Sequence, residues 1–335
     1  MEKITDIYPK FQEVVSILQK ALNVSFSSAL TETFDNLENE KIKVEEGAPD
    51  KETVAELTEK YRELNYENLP KDLKVQVFTL LALKSINEDG RNYTQLPTPS
   101  VIATIIALLW QKLINADNNE LEVVDPAIGT GNLLYSVIRQ LVQENHSKNP
   151  YKLVGIDNDE TLLDLADVGA HLDGLKIELF NQDALDPWMV PPADIILSDI
   201  PMGYYPLDNN AKRFENHAKE GHSFAHLLFI EQIVKNLNKN GFAFLVVPKI
   251  IFTNTVQGEF INWLGKKVNI QAIIDLPTDM FANATQQKSI LVFQNHGDLA
   301  KQRNVLVAQL PSLKDNKALI EFSVKLNEWY KNNQE

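Results

Sequence analysis

An alternation that begins near Asn92 constrains this chain more than any other feature. From there on, short β-rich runs and amphipathic segments follow one another. Runs at Glu122–Val124, Lys152–Ile156, Leu175–Leu179, Asp194–Ser198, Phe242–Val247, Ile270–Asp275 and Ser289–Gln294 read as strands. Helices such as Gly131–Glu144, Thr161–Ala170 and Phe224–Leu237 fall between most of them. Strands alternating with helices give a mostly parallel sheet covered on both faces. Leu276–Lys288 joins the last two of these runs and holds no good helix, so that pair is expected to be antiparallel. The fold class expected is α/β, a Rossmann-like seven-stranded sheet over residues 92–335, preceded by a helical N-terminal domain over residues 1–91.

The helical expectation for residues 1–91 rests on apolar spacing. Ile7, Phe11, Val14, Val15, Ile17 and Leu18 share one stripe, and Val54, Leu57, Tyr61 and Leu64 another. Lys41–Lys51 is charged and carries Gly47 and Pro49, so it reads as a loop between helices. Packing or dimerisation is the role expected of this region.

Composition excludes several classes. The sequence has no cysteine, which removes disulfides, thiolate metal sites and a cysteine nucleophile. It has no long apolar run and no secretory signal pattern, so no membrane span and a cytoplasmic location are expected. The formal net charge of −14 argues against a general polyanion binder. Any nucleic-acid site must then be local and lie in the alternating region after Asn92.

The stretch Leu121–Leu134, LEVVDPAIGTGNLL, carries the ligand signal. A hydrophobic strand leads to Asp125, Pro126 and Ala127, then to Gly129, Thr130, Gly131 and Asn132, and then to a helix. Ligands of doubly wound sheets bind beyond the carboxyl ends of the strands, where this loop lies. Position 134 is Leu, so the spacing is not that of a dinucleotide fingerprint. Asp157, followed by Asn158, ends the second strand run, where a carboxylate can accept bonds from both ribose hydroxyls. Asp183, followed by Ala184, comes after the third run and could accept from an adenine amino group. Each acid alone is an ordinary cap or turn residue. Together they favour an adenosyl ligand.

On these residues the chain resembles S-adenosylmethionine-dependent amino-methyltransferases of class I. The resemblance is strongest to N6-adenine DNA methyltransferases, in particular the modification subunits of type I restriction systems and their small YtxK-like relatives. It covers roughly Tyr93–Asn295, and the N-terminal helical region fits the YtxK-like group. Thr98-Pro99, ahead of the helix Val101–Trp110, resembles the motif that contacts the methionine moiety. Ile270–Asn295 resembles the late motif that faces the target base. The implied cofactor is S-adenosyl-L-methionine, with S-adenosyl-L-homocysteine as product.

The same resemblance places a tetrapeptide, Asn/Asp/Ser-Pro-Pro-Tyr/Phe, after the fourth strand. Here that position reads Asp199, Ile200, Pro201, Met202. A ring amine has a delocalised lone pair. A side-chain oxygen and a backbone carbonyl that both accept its N–H bonds push the nitrogen towards sp³, so the work is positioning and charge placement. Asp199 can supply the side-chain acceptor, the Ile200 carbonyl the second, and Pro201 a rigid turn. Ile200 and Met202 depart from the family pattern. Met202 stands where an aromatic residue stacks on the base, and Tyr204 or Tyr205 is expected to compensate.

Leu207–Gly221 is long and polar, without obvious structure, and is expected to be a lid or binding loop. Its Lys212 and Arg213 are the expected phosphate contacts. His222 and His226 lie four apart, but no third ligand is evident, so no metal is expected. The function expected is methyl transfer to an exocyclic amine, most of all adenine N6 in DNA, with the base flipped out of the duplex. RNA or a protein glutamine amide are alternative acceptors, and a non-catalytic cofactor-binding regulator is a third reading. The residues after Asn295 are too few for a target-recognition domain. The partners expected are DNA at a local site and a protein partner, or a second copy through the N-terminal domain.

Overall fold

The apolar stripes at the N-terminus become helices α1 (Ile4–Leu22), α2 (Phe26–Glu38), α3 (Lys51–Leu64) and α4 (Lys71–Glu88). Next come α5 (Ser100–Leu113), β1 (Leu121–Asp125), α6 (Asn132–Asn145), β2 (Tyr151–Asp157), α7 (Glu160–Leu172) and β3 (Ile177–Asn181). Then follow β4 (Ala193–Asp199), α8 (Asp208–Ala211), α9 (Ala225–Asn236), β5 (Leu237–Pro248) and α10 (Thr255–Lys267). β6 (Val268–Asp275), β7 (Lys288–Asn295), β8 (Leu306–Gln309) and α11 (Asn316–Asn332) complete the order. The computed structural model describes residues 3–91, 98–114, 120–145, 151–252 and 255–333. The boundary expected after residue 91 borders residues 92–97, outside the described set.

The sheet runs β3-β2-β1-β4-β5-β7-β6-β8. β1 is parallel to β2 and β4, and β4 to β5. β7 is antiparallel to both β5 and β6, as the short, helix-poor connection before it requires. Among the described residues the sheet has eight strands rather than seven. The apolar run around residues 304–310 supplies β8, which pairs parallel with β6 and covers what would be an open edge. β5 is buried at every position from Gly241 to Pro248, as a central strand covered on both faces should be.

β3 begins two residues later than its apolar run suggests. Gly174, at φ +61°, ends α7, and the Leu175 N–H donates to the Ala170 carbonyl while Gly174 N–H donates to His171. This is a Schellman stop, and it uses Leu175 to close the helix before any strand can start.

Contact density divides the chain into two compact units that interleave in sequence. One comprises Met1–Thr104, Ile128–Glu144 and Asp157–Asn181, the other Ile105–Ala127, Asn145–Ile156 and Gln182–Glu335. In the first, α1–α4 and α7 share one core. Phe11 stacks on Phe34 at 5.6 Å, Phe78 meets Phe34 edge-on at 5.2 Å, and Leu162, Leu165, Val168 and Leu172 of α7 are buried with them. Asp89 accepts from the Phe26 and Ser27 N–H groups, so the end of α4 caps the start of α2. In the second unit, Trp110 of α5 lies stacked on Phe244 of β5, ring centroids 5.6 Å apart.

Candidate active site

Glycine geometry shapes the loop after β1. Gly129 and Gly131 have φ +53° and +75°, conformations that L side chains rarely adopt. A Cβ on Gly131 would lie 2.1 Å from the Tyr135 ring, whose hydroxyl is anchored on the Ala166 carbonyl. A Cβ on Gly129 would meet nothing within 4 Å, so that backbone is open to a ligand. Asp157 Oδ2 accepts the Gly129 N–H at 2.9 Å, and its Oδ1 accepts from Asp159. Burial pushes the Asp157 carboxyl above the usual carboxylate range, against the backbone N–H bonds it accepts.

The neighbouring residues have defined places. Asp125 is 1% exposed. Its Oδ1 accepts from the Ala127 N–H and from the Ser198 hydroxyl, the latter at 2.7 Å. Pro126 and Thr130 are buried. Asn132 donates to the Thr98 carbonyl at 2.6 Å, which ties the expected methionine-contact motif to the start of α6. Asn158 is exposed and Ala184 buried. Asp183 accepts from the Leu185 N–H and, at 2.6 Å, from the Tyr205 hydroxyl. Burial and that carboxylate push the Tyr205 hydroxyl up to about 12.

The turn after β4 is built differently. Asp199 ends β4, and its Oδ1 accepts from Lys288 Nζ at 2.6 Å. Ile200 is fully buried, backbone included, and its N–H donates to the Val246 carbonyl. In a parallel ladder the next bond would run from the N–H of residue 248 back to the Ile200 carbonyl. Residue 248 is proline and has no N–H, so the ladder stops with that carbonyl unclaimed by β5. Pro201 and Met202 are half-buried. Tyr205 is buried and occupied with Asp183, whereas Tyr204 is 62% exposed and stacked on Phe224 at 4.9 Å. Of the two tyrosines, Tyr204 is the one with a ring face near the surface beside this turn.

The chain thus carries a Gly-x-Gly loop at positive φ after β1, a buried acid at the end of β1, half-buried acids at the end of β2 and after β3, and an Asp at the end of β4. The profile of the N-6 DNA methylase family matches residues 71–331. The chain belongs to that family. It is 35% identical over 328 residues to the Bacillus subtilis (strain 168) protein YtxK, with 97% of each chain covered. It is similar in structure to a candidate class I S-adenosylmethionine-dependent methyltransferase from Listeria monocytogenes, with TM-score 0.86, 33% identity and 98% of each chain covered. The methyltransferase subunit of a Streptococcus thermophilus type I restriction-modification system shares the fold at TM-score 0.61 and 19% identity, over 97% of this chain and 74% of that one. Family and fold are those of S-adenosylmethionine-dependent methyltransferases, and S-adenosylmethionine is the cofactor they imply.

In this member of the family the segment 207–221 is not structureless. It forms α8 and packs its own small core, with Ala211 and Phe214 buried against Leu185, Tyr205 and Leu228. The buried Glu231 carboxylate accepts the Glu215 and Asn216 N–H groups and pins the segment to α9. Arg213 donates to the Leu185 carbonyl and to Asp186, while Lys212 is exposed beside Asn209. His226 is 3% exposed, and neither ring nitrogen has a partner among the described residues. Burial pushes its imidazole down to about 4. Among the described residues no group of three His, Cys, Asp or Glu could hold a metal ion, and no helix is long and apolar enough to cross a membrane.

Sequence reasoning missed Ser198, Phe224, Pro248 and Lys288. A proline ending a central strand was a legible signal for Pro248, because such a strand should supply ladder donors to its end. Nothing in the sequence paired Lys288 with Asp199.

Proposed function

We propose that this chain transfers the methyl group of S-adenosylmethionine to an exocyclic amino group, with adenine N6 in DNA as the acceptor. When bound, the cofactor supplies a methyl group on a sulfonium centre. Asp157 would hold its ribose hydroxyls and Asp183, steadied by Tyr205, its adenine. The loop residues Asp125, Pro126, Ala127, Gly129, Thr130, Gly131 and Asn132, together with Thr98, Asn158 and Ala184, would shape the rest of its site. The observation that carries the reading is the pair of acceptors at the end of β4. Asp199 offers a carboxylate, and Pro248 withholds the donor that would otherwise close on the Ile200 carbonyl. Two acceptors on adjacent residues can take both N–H bonds of one amine and turn its lone pair outward for in-line attack.

Pro201 holds the turn, and Met202 lines it. The exposed Tyr204, backed by Phe224, offers the stacking face that Met202 lacks; base stacking on an aromatic ring is worth about 1–3 kcal/mol. Lys212, and less so the internally engaged Arg213, would meet the strand's phosphates. DNA at this local site is the partner proposed, with a protein partner or a second copy through residues 1–91, which we propose as a helical domain. A cytoplasmic location belongs to the same reading. The test is incubation with labelled S-adenosylmethionine and, in turn, adenine-containing DNA, RNA and protein. Label in N6-methyladenine of DNA supports the proposal; label in RNA or in a glutamine amide redirects it, and cofactor binding without transfer to any of them overturns it.

A further inference from the structure

The rim formed by the ends of β4, β5, β6 and β7 carries charge that the reaction as proposed does not use. Lys288 opens β7 and pairs in register with Pro248, the residue that ends β5. Its ammonium reaches Asp199, 89 residues earlier in the chain, at 2.6 Å, and both side chains are less than one-fifth exposed. A second pair lies on the same rim. Lys249 Nζ is 2.7 Å from Asp275 Oδ2, and Ser289 donates to Asp275 Oδ1. Asp275 is therefore satisfied on both oxygens by fixed neighbours and can serve as structure. Asp199 is the acid proposed to receive an incoming amine.

An ammonium on Asp199 Oδ1 is a stronger donor than any neutral amine, and it draws electron density from the oxygen that the amine needs. Exchange of one for the other leaves a partly buried ammonium without its counter-ion, which is costly. An arriving anion removes that cost. A glutamine side chain or a free nucleobase brings none, whereas a nucleotide within a strand brings a phosphodiester next to its base. The segment from residue 249 to the last residue holds ten Lys and Arg against eight Asp and Glu, in a chain of net charge −14. The rim lysines thus belong to the part of the sequence least hostile to a polyanion.

We infer that Lys288 is a positioning residue that holds the Asp199 carboxylate in place and is taken over by a backbone phosphate flanking the target nucleotide. The inference rests on the proposed amine transfer at Asp199 and adds to it the residue that meets the strand beside the target base, Lys288, and the group it meets, the flanking phosphodiester.

The experiment uses the full chain, S-adenosylmethionine and an adenine-containing oligodeoxynucleotide pool, with single linkages beside adenine replaced by uncharged methylphosphonate. Wild type, Lys288→Met and Lys288→Arg are compared in single-turnover transfer, with thermal unfolding as the folding control. Wild type should slow about tenfold or more when a flanking linkage is neutral, as loss of one charged hydrogen bond implies. Lys288→Met should be slow on ordinary DNA and indifferent to the neutral linkage. Its salt dependence should lose about 0.7–0.9 in slope, one phosphate's worth. Lys288→Arg should restore both the rate and the linkage sensitivity. Transfer by wild type with no sensitivity to neutral linkages overturns this inference alone, as does Lys288→Met with wild-type sensitivity. No transfer by wild type to any DNA overturns the parent reading and this inference with it.

Discussion

The loop after β1 and the turn after β4 are assembled by different means. The loop takes its backbone contacts from itself and from the end of the next strand: Asp125 accepts from Ala127, Ile128 from Gly131, and Asp157 from Gly129, with Ser198 the distant donor to Asp125. The turn leans instead on later segments of the chain. Lys288 holds Asp199, Ser223 accepts from Tyr205, Gly203 accepts from Ala225, and Pro248 decides the state of the Ile200 carbonyl. A site assembled locally can be read and broken locally. A site assembled from remote strands can be altered without touching its motif.

The largest effect expected separates the two regions outright. Asp199→Ala should lower single-turnover methyl transfer by about 10²–10³, the cost of one electrostatic contact to the reacting group. Cofactor affinity, measured by calorimetry, should stay nearly unchanged. Equal transfer rates for the two proteins would remove Asp199 from the chemistry.

The glycines of the loop should differ from one another. Gly131→Ala meets both the left-handed backbone penalty and the Tyr135 ring, and should cost roughly 3 kcal/mol of stability. Gly129→Ala meets only the backbone penalty, roughly 1–2 kcal/mol, and should weaken cofactor binding where its Cβ enters open space. Urea titration and calorimetry on the two variants would show whether the split holds; equal stability losses would refute the steric part.

Acid should act on the two regions with opposite sign. His226 follows Ala225, whose N–H bonds to Gly203 of the turn, and its imidazole is pushed down to about 4 from an ordinary 6.5. The unfolded chain takes up a proton where the folded chain refuses it, so this stability is full above about 6.5 and declines as pH falls towards 4. The decline should be ~2 kcal/mol by pH 5. Asp157 is pushed upward, so its contribution improves as pH falls through the same acidic region. The difference between wild type and His226→Leu, followed by urea unfolding from pH 8 to pH 4.5, isolates the imidazole. A pH-independent difference would rule out a buried neutral histidine.

The smallest effect expected is the subtlest. Pro248→Ala restores an N–H that can donate to the Ile200 carbonyl. Transfer should fall about tenfold, the worth of one neutral hydrogen bond lost to the amine, with cofactor affinity kept and stability equal or slightly higher. An unaltered rate would show that the carbonyl is not the second acceptor.

Much of this arrangement is legible in the amino-acid sequence. The strand–helix alternation fixed the order of elements, because hydrophobic period survives in sequence. The cofactor loop was legible because glycine spacing and strand-end acids are local signals. β8 lies in the run 304–310, NVLVAQL, whose alternate exposure at the sheet edge leaves only a weak strand signal in the sequence. The segment 207–221 looked structureless because its order comes from Glu231 and a few buried side chains rather than from periodicity. The Lys288–Asp199 pair had no sequence signature at all, since register between β7 and β5 creates it.

The core shared by α1–α4 and α7 also has a consequence in time. Leu162, Leu165, Val168 and Leu172 complete a hydrophobic interior whose other walls end at residue 88. On a ribosome adding about 5–20 residues per second, that interior stays open on one side for on the order of ten seconds. During that interval the nascent chain presents Phe11, Phe34 and Phe78 without their last cover. The N-terminal helices are made first, but they are finished only when a helix from the middle of the chain arrives.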